Sequence, residues 1–382
     1  PLRAAATADP AVIGPRAATA PGRAALDLAF RFASAIVSDD KDRARAQEAV
    51  TREYAARGEF DEAVRAAGRI EGWRQGAALA EIAAALAEAG RDDEARRLIA
   101  RAEAVGAATS GWQGERIRSH VAAALAALGD AARAESIAIG LASQDRQYAG
   151  RPAVLAATAL ARRGDARGAL ERLAVLDGDP DLEVSWWRTA GYLEAARHAG
   201  GDAVLRKRAL EAARRSAEGI AGWKRAEALT RVADEQVRSG RAADARGTLR
   251  RAAEIVRAQP DSMPVKARLL AGVARGWHRA GRSGPARDLL ESAEAAVAAA
   301  PIVDRPGLYA AVAAAAGALG DPEAAARLYG RGIESAESLR NARPRALSAV
   351  DICVLLGGEA ALNTGALRTR LERLLAGLGD PW

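Results

Sequence analysis

The chain contains few of the residues that build disulfides, metal sites and large aromatic cores. Of its 382 residues, one is cysteine, three are histidine and three are phenylalanine. A single cysteine excludes an intramolecular disulfide and a zinc site built on cysteines. We expect Cys353 to be a buried small apolar residue, not a reactive thiol. His120, His198 and His278 have no spacing typical of metal ligands, so no metal site is predicted.

Long apolar runs and catalytic motifs are also missing. No stretch approaches the ~18 uncharged apolar residues of a membrane span. No glycine-rich phosphate loop, nucleophile elbow or strand-borne carboxylate pair is visible. We therefore predict a soluble protein that is not an enzyme and uses no cofactor. Its compartment is either cytoplasmic or, if a leader preceded Pro1, extracytoplasmic.

What the chain does contain is a repeat marked by glycine. Nine glycines lie 32 to 41 residues apart, namely Gly58, Gly90, Gly129, Gly164, Gly200, Gly240, Gly281, Gly320 and Gly357. A period of this length is typical of stacked helical hairpins. Glycine in the left-handed conformation commonly ends a helix, so each is predicted to separate two antiparallel helices.

Small residues recur at fixed distances from these glycines. Five residues after the turn stand Ala63, Ala95, Ala134, Ala169, Ala245, Ala286 and Ala325, and seven before it stand Thr51, Ala83, Ala122, Ala157, Ala233, Ala274 and Ala313. Two helices approach closely only where neither presents a bulky side chain. We expect these positions to be the contacts within each hairpin.

The pattern resembles the tetratricopeptide repeat (TPR) family over about residues 41–340. Ala233, Gly240, Ala245, Leu249 and Ala252 stand where that family places its small, turn, small, bulky and small residues. The resemblance implies an all-α, right-handed α-solenoid of about nine antiparallel hairpins. It also implies a concave groove lined by the first helix of each hairpin.

The predicted organisation has four parts. Residues 1–22 are an Ala/Pro-rich arm or linker, and residues 23–40 hold an N-terminal capping helix, predicted over 24–37, that covers the first hairpin. Residues 41–340 contain repeats one to eight. Residues 341–382 form a degenerate ninth repeat and a C-terminal cap.

Charge is unevenly distributed. Between Trp186 and Arg282 there are 21 basic and 10 acidic residues, a net of +11 in a chain whose total is +7, so the remainder carries −4. Nearly all the basic residues are arginine, which together with the alanine content is typical of a GC-rich bacterial genome. A field of one sign over a concave surface steers an oppositely charged partner.

The repeat register places a set of polar and aromatic residues in the groove. The predicted partner-binding residues are Arg162, Trp187, Arg197, His198, Arg238, Arg268, Arg275, His278 and Arg279. Arginine forms paired hydrogen bonds with carboxylates, so these residues favour an acidic partner. The alternative for each arginine is a solvated side chain paired with a neighbouring carboxylate.

Tryptophan recurs where first helices begin, as in Gly72-Trp73, Gly111-Trp112 and Gly222-Trp223. The recurrence indicates packing wedges between consecutive hairpins. Trp187 is the second of a pair with Trp186, so one member is a candidate for ligand contact.

Two functions fit the pattern. The first is a non-catalytic scaffold that binds an extended or acidic protein segment. The alternative is non-specific nucleic-acid binding through the basic face of repeats five to seven, prompted by a sequence pI of about 10.0. The sequence does not distinguish oligomeric states.

Overall fold

A computed structural model describes residues 20–144, 150–177, 182–359 and 365–378 of the chain. Within these residues there are nineteen α-helices and no strand, which confirms the predicted all-α repeat class. The helices are α1 (Ala20–Ser34), α2 (Asp40–Ala56), α3 (Phe60–Ala67), α4 (Trp73–Glu88), α5 (Asp92–Ala107), α6 (Gly111–Ala127), α7 (Ala131–Gln144), α8 (Arg151–Arg162), α9 (Ala166–Ala174), α10 (Leu182–Arg197), α11 (Ala203–Glu218), α12 (Gly222–Arg238), α13 (Ala242–Arg257), α14 (Lys266–Arg279), α15 (Ser283–Ala299), α16 (Arg305–Ala318), α17 (Pro322–Glu337), α18 (Ala342–Leu356) and α19 (Gly365–Ala376).

The chain divides into two compact units. The central unit is Glu71–Ile255, and the terminal unit combines Pro1–Ile70 with Val256–Trp382. Residues 1–19, which hold most of the predicted arm, lie outside the described residues. None of the described helices is both long and apolar enough to cross a membrane.

The predicted turn glycines end the first helices. Eight of the nine have φ between 55° and 86°, which glycine adopts without the steric cost of a Cβ, whereas Gly357 has φ −59°. The first eight were therefore predicted correctly. Gly357 does not form a left-handed turn.

The predicted small residues form the hairpin contacts. All fourteen are buried, none with more than 1% of its surface exposed. In the central unit α4 packs on α5, α6 on α7, α8 on α9 and α10 on α11; in the terminal unit α2 packs on α3, α14 on α15 and α16 on α17. Alanine at these positions lets the two helix backbones approach, and the larger Leu, Ile and Val residues around them supply the buried apolar area.

Consecutive second helices are joined by glutamate–arginine pairs. In the central unit these pairs are Glu103–Arg133, Glu135–Arg172 and Glu218–Arg251, and in the terminal unit they are Glu294–Arg327 and Glu337–Arg370. The recurring spacing puts one acid and one base on adjacent repeats each time. Exposed pairs of this kind contribute about 0–1 kcal/mol each, so they fix register more than stability.

Helices α18 and α19, which lie in the predicted ninth repeat, join the two regions of sequence that make up the terminal unit. α18 packs chiefly on α1, and α19 lies against α17 and α1. α1 thus does more than cover the first hairpin, although it also contacts α2 as expected. We call the pairing of α18 with α1 the split hairpin, because residues 35–341 separate its two helices along the chain.

Gly357 is the reason that α1 fits beside the end of α18. A Cβ at Gly357 would lie 3.1 Å from the Gly22 carbonyl oxygen and within contact of the Arg57 guanidinium. A glycine in the register of the turn glycines therefore provides space for another helix instead of a left-handed turn.

Candidate functional site

The nine predicted partner-binding residues fall into two groups. Arg162, Trp187, Arg197, His198 and Arg238 belong to the central unit, and Arg268, Arg275, His278 and Arg279 belong to the terminal unit. All lie on the first helices α8, α10, α12 and α14, except His198, which follows α10 directly. The predicted residues are thus on the expected helices.

Glu194 is the centre of the group in the central unit. Arg197, one turn later on α10, forms an ion pair with it, and Arg162 Nη2 lies 3.8 Å from Glu194 Oε2. His198 Nε2 is 3.7 Å from the same oxygen. Desolvation alone would raise the pKa of Glu194, but His198, Arg197 and Arg162 outweigh it and lower the pKa to about 2. Glu194 is therefore a charged carboxylate held by three cationic or polar partners.

Glu235 on α12 extends the group. Arg197 Nε lies 2.9 Å from Glu235 Oε2, and Arg238 Nη2 lies 2.9 Å from the same oxygen. The Glu235 side chain is 6% exposed, whereas that of Arg238 is 45% exposed. Arg238 is thus the solvent-facing member of a chain of pairs that runs from α8 through α10 to α12.

Glu88 joins the group from a more distant helix. Its Oε1 lies 2.8 Å from Arg162 Nη2, which links the carboxyl ends of α4 and α8 although α6 stands between them. Packed helices lie about 8–10 Å apart, so alternate helices in a flat row would be about twice that distance apart. A direct pair between α4 and α8 indicates that the carboxyl ends of these first helices converge at this end of the central unit.

The arginines of the central unit are balanced by carboxylates. Three glutamates, Glu88, Glu194 and Glu235, pair with the three predicted arginines of this unit. The excess of basic residues counted along the sequence is thus not concentrated at this group. Sequence reasoning left Glu88 and Glu235 out of the site, yet Glu194-Ala-Ala-Arg197 and Glu235-Gln-Val-Arg238 have the (i, i+3) spacing typical of helical ion pairs.

Several of the junction tryptophans contact arginine or one another. Trp73 on α4 and Trp112 on α6 meet edge to face with ring centroids 5.2 Å apart, but Trp112 is 59% exposed, so the predicted packing wedge stays a prediction. The guanidinium of Arg151 lies 4.4 Å from the centre of the Trp187 ring. Half-buried Trp187 therefore already has a cation–π partner within the chain.

The terminal unit brings other charges to its predicted residues. Arg268 on α14 acts electrostatically on Asp351 of α18, as does Arg45 of α2. Both positive charges favour the ionised form of the Asp351 carboxyl. Neither Arg45 nor Asp351 was predicted, because the nearness of α2 to α18 joins the two ends of the chain. Arg279 is exposed.

Cys353 and the histidines give no sign of reactive chemistry. Cys353 on α18 is completely buried, as predicted, and desolvation raises the pKa of its thiol. His120 Nδ1 lies 3.5 Å from a Glu81 oxygen on the neighbouring first helix. Among the described residues, no group of three or more His, Cys, Asp or Glu side chains is arranged to hold a metal ion.

Comparison with known proteins does not assign the chain to a family. No family model matches the chain, and no curated protein does either. Among solved structures, the chain is similar to a "Circular tandem repeat protein with novel repeat topology and enhanced subunit contact surfaces", with 17% identity over 94% of this chain and 83% of that one, at a TM-score of 0.19. This likeness is too low to carry an argument. The relation to the TPR family stays a resemblance.

Proposed function

We propose that the protein is a non-catalytic scaffold that binds an acidic segment of a protein partner through arginines at the carboxyl ends of its first helices. The observation that carries this proposal is that these arginines already hold carboxylates of their own chain. Arg197 and Arg238 both contact Glu235, and Arg162 and Arg197 both contact Glu194. Such charge-assisted pairs are the chemistry by which arginine recognises a carboxylate of a partner.

Arg238 is the proposed anchor in the central unit. Its side chain is 45% exposed, and the only glutamate that it is seen to contact among the described residues is also held by Arg197. A carboxylate from a partner therefore adds to Arg238 without removing the charge that balances Glu235. Arg162 is less suited, since its side chain is 16% exposed and already engages Glu88.

In the terminal unit the proposed anchors are Arg275 and Arg279 of α14. They lie four residues apart, so they share one face of the helix, and Arg279 is exposed. Arg268 lies about two turns before Arg275 on a similar face of α14, and its positive charge acts on the Asp351 carboxylate. We assign Arg268 a positioning role and Arg279 direct contact.

The test measures binding of a fluorescein-labelled oligoglutamate peptide by anisotropy. We expect Arg238→Ala to weaken binding at least tenfold, because truncating an anchoring arginine costs about 2 kcal/mol or more. We expect the joint change Arg275→Ala and Arg279→Ala to weaken it similarly. Circular dichroism and the thermal melting curve should stay close to wild type, since these side chains are not buried.

The matched control removes the same number of arginines from second helices. Arg214, Arg250 and Arg287 are exposed on α11, α13 and α15. Their joint replacement by alanine changes net charge as much as the three anchor changes together. If this control weakens peptide binding as strongly as the anchor variants do, binding depends on net charge alone and the proposed site is wrong.

Non-specific nucleic-acid binding is the outcome that would replace this proposal. Base stacking needs an open aromatic face; Trp73, Trp186 and Trp187 each have an arginine beside the ring, whereas Trp112 is 59% exposed and offers such a face. A labelled oligothymidylate is the comparison probe. If it binds more tightly than the peptide and loses affinity steeply with added salt, the nucleic-acid function is favoured.

A further inference from the structure

The split hairpin is held by contacts that all come from one contiguous segment, α1–α3. Arg57, which caps α2, donates a hydrogen bond from Nη2 to the Val354 carbonyl oxygen at 2.7 Å. That carbonyl belongs to the last turn of α18, where carbonyls lack partners within the helix. The positive guanidinium also suits the negative end of the α18 dipole. One buried side chain thus joins the start of the chain to the end of α18.

A second polar contact joins the same partners at the other end of α18. Arg343 Nη1 lies 2.9 Å from Asp39 Oδ2, and Arg343 Nε lies 3.3 Å from Asp42 Oδ2. Asp39 is also the N-cap of α2, because its side chain accepts a hydrogen bond from the Asp42 backbone N–H. The interface therefore has polar contacts at both ends, which set its register.

Polar contacts join the three helices of the segment α1–α3. The Tyr54 hydroxyl on α2 donates to Asp27 Oδ1 on α1 at 2.5 Å, and Gln47 Nε2 donates to Ser34 Oγ at 3.1 Å. Arg23 forms an ion pair with Glu59, next to α3. We expect these contacts to keep α1 with α2 and α3 when the pairing with α18 is lost.

Neither side of the interface is suited to exposure. Of the chain's three phenylalanines, Phe30 and Phe32 lie on α1, and both are buried, as are Leu26 of α1 and Ile352 of α18. Fully burying one such side chain contributes about 1.5–3 kcal/mol. An α18 without α1 therefore presents an apolar face whose complement is α1 itself.

We propose that α18 also accepts the α1–α3 segment of a second copy of this chain, so that two chains complete one another's split hairpins. The observation that selects this partner is the self-complementary interface already present within the terminal unit. No peptide bond near the interface ties α1 to its own α18, because residues 35–341 separate them. An exchanged pair uses the same atoms as the closed monomer, which is why domain swapping is a low-cost route to dimers.

The test uses two full-length variants that are each unable to close. Ala29→Arg places a charge on α1 at a fully buried position two helical turns from Gly22, hence on the face of α1 that meets Gly357. Gly357→Leu blocks α18, because its side chain would meet the Gly22 backbone. The first variant keeps an intact α18, and the second keeps an intact α1–α3 segment.

Mixing the two variants should restore one complete split hairpin. We expect native mass spectrometry to show a one-to-one heterodimer in the mixture, which neither variant forms with itself. Gly247→Ala is the matched control, since this helical glycine has open space around it. A mixture that stays monomeric, with both variants helical by circular dichroism, overturns the proposal.

The wild-type chain provides an independent test that does not depend on the variants being folded. Two preparations with tags of different mass are unfolded in urea, mixed and refolded at high protein concentration. Exchange predicts dimers that carry both tags, formed only when unfolding precedes mixing. If refolding at every accessible concentration gives closed monomers alone, the exchange does not occur.

Discussion

Two hairpins of this protein reach the same packing by different means. The α4/α5 hairpin of the central unit is closed by a turn at Gly90, where φ is +75°. The split hairpin of the terminal unit has no turn, and Gly357 contributes space instead of a left-handed backbone. A hairpin therefore requires a close helix–helix contact and hydrogen-bond partners for the polar groups at the helix ends. The turn is one way to bring the helices together, and side-chain contacts are another.

The largest expected effect comes from removing the side chain that replaces the turn. Arg57 and Glu53 are a buried pair, each side chain 5% exposed, with 3.3 Å between Arg57 Nη2 and Glu53 Oε2. We expect Arg57→Ala to destabilise the protein by about 3–5 kcal/mol, because it leaves Glu53 buried and unpaired. Urea unfolding followed by circular dichroism measures the loss.

The control for Arg57 is an exposed pair on the neighbouring helix. Arg65 Nη2 lies 2.7 Å from Glu62 Oε1, and the Arg65 side chain is 69% exposed. We expect Arg65→Ala to change stability by less than about 1 kcal/mol. Equal shifts in the urea midpoint for the two variants would mean that the Arg57 contact does not hold the split hairpin.

The next largest effect is the pH dependence of stability that Glu194 of α10 contributes in the central unit. The pKa of Glu194 is lowered from 4.5 to about 2 in the folded protein. Its contribution to stability is therefore complete above a pH near 4.5 and is lost as the pH falls towards 2, up to about 3 kcal/mol. Glu194→Gln should be less stable than wild type at neutral pH, and the difference should shrink on acidification.

In the terminal unit, the pKa of the buried Glu53 carboxyl is shifted in the opposite direction from that of Glu194. Burial raises the pKa of Glu53, and the charge of Arg57 opposes that rise only in part. A raised carboxyl pKa favours folding at low pH and loses that contribution as the pH rises through the folded-state value. Paired urea titrations of Glu53→Gln and Glu194→Gln against pH should therefore diverge with opposite slopes. Parallel slopes would contradict this contrast between the two units.

The smallest expected effect separates the two kinds of glycine. Gly90→Ala introduces a Cβ at φ +75° with open space around it, so only backbone strain of about 1–2 kcal/mol is expected. Gly247→Ala in α13 lies in open space without positive φ and should stabilise the helix by about 0.4–1 kcal/mol. Thermal melting curves of the two variants check the signs. A stabilised Gly90→Ala would show that the left-handed conformation is dispensable there.

The repeat was predictable because its signals are local. A turn glycine and an alanine five residues later, such as Gly240 and Ala245, encode a hairpin within one short window, and both adopt the expected conformation or burial. The split hairpin was not predictable in this way. Its two helices are separated by most of the chain, and Gly357 occupies the register of a turn while packing against Gly22. Spacing alone does not distinguish those two uses of glycine.

The candidate site was predictable only in part, for a related reason. Helical periodicity placed Arg197 and Arg238 on first helices; the (i, i+3) glutamates that pair with them, Glu194 and Glu235, were visible in the sequence but were not predicted as their partners. Periodicity gave no means to foresee Glu88 beside Arg162, because that pair depends on how strongly the first helices converge in the central unit. The binding role of these arginines stays a prediction.

The absence of a short link between α18 and α1 has a consequence for the order of helices along the sequence. In the other hairpins a turn holds the two helices together, but α18 and α1 are held together by packing and side-chain contacts. The chain therefore tolerates circular permutation in principle. New ends opened at an exposed turn such as Gly90, with a linker joining α19 to α1, would bring α18 and α1 close together in sequence, separated only by α19 and the linker, and would make α4/α5 the split pair.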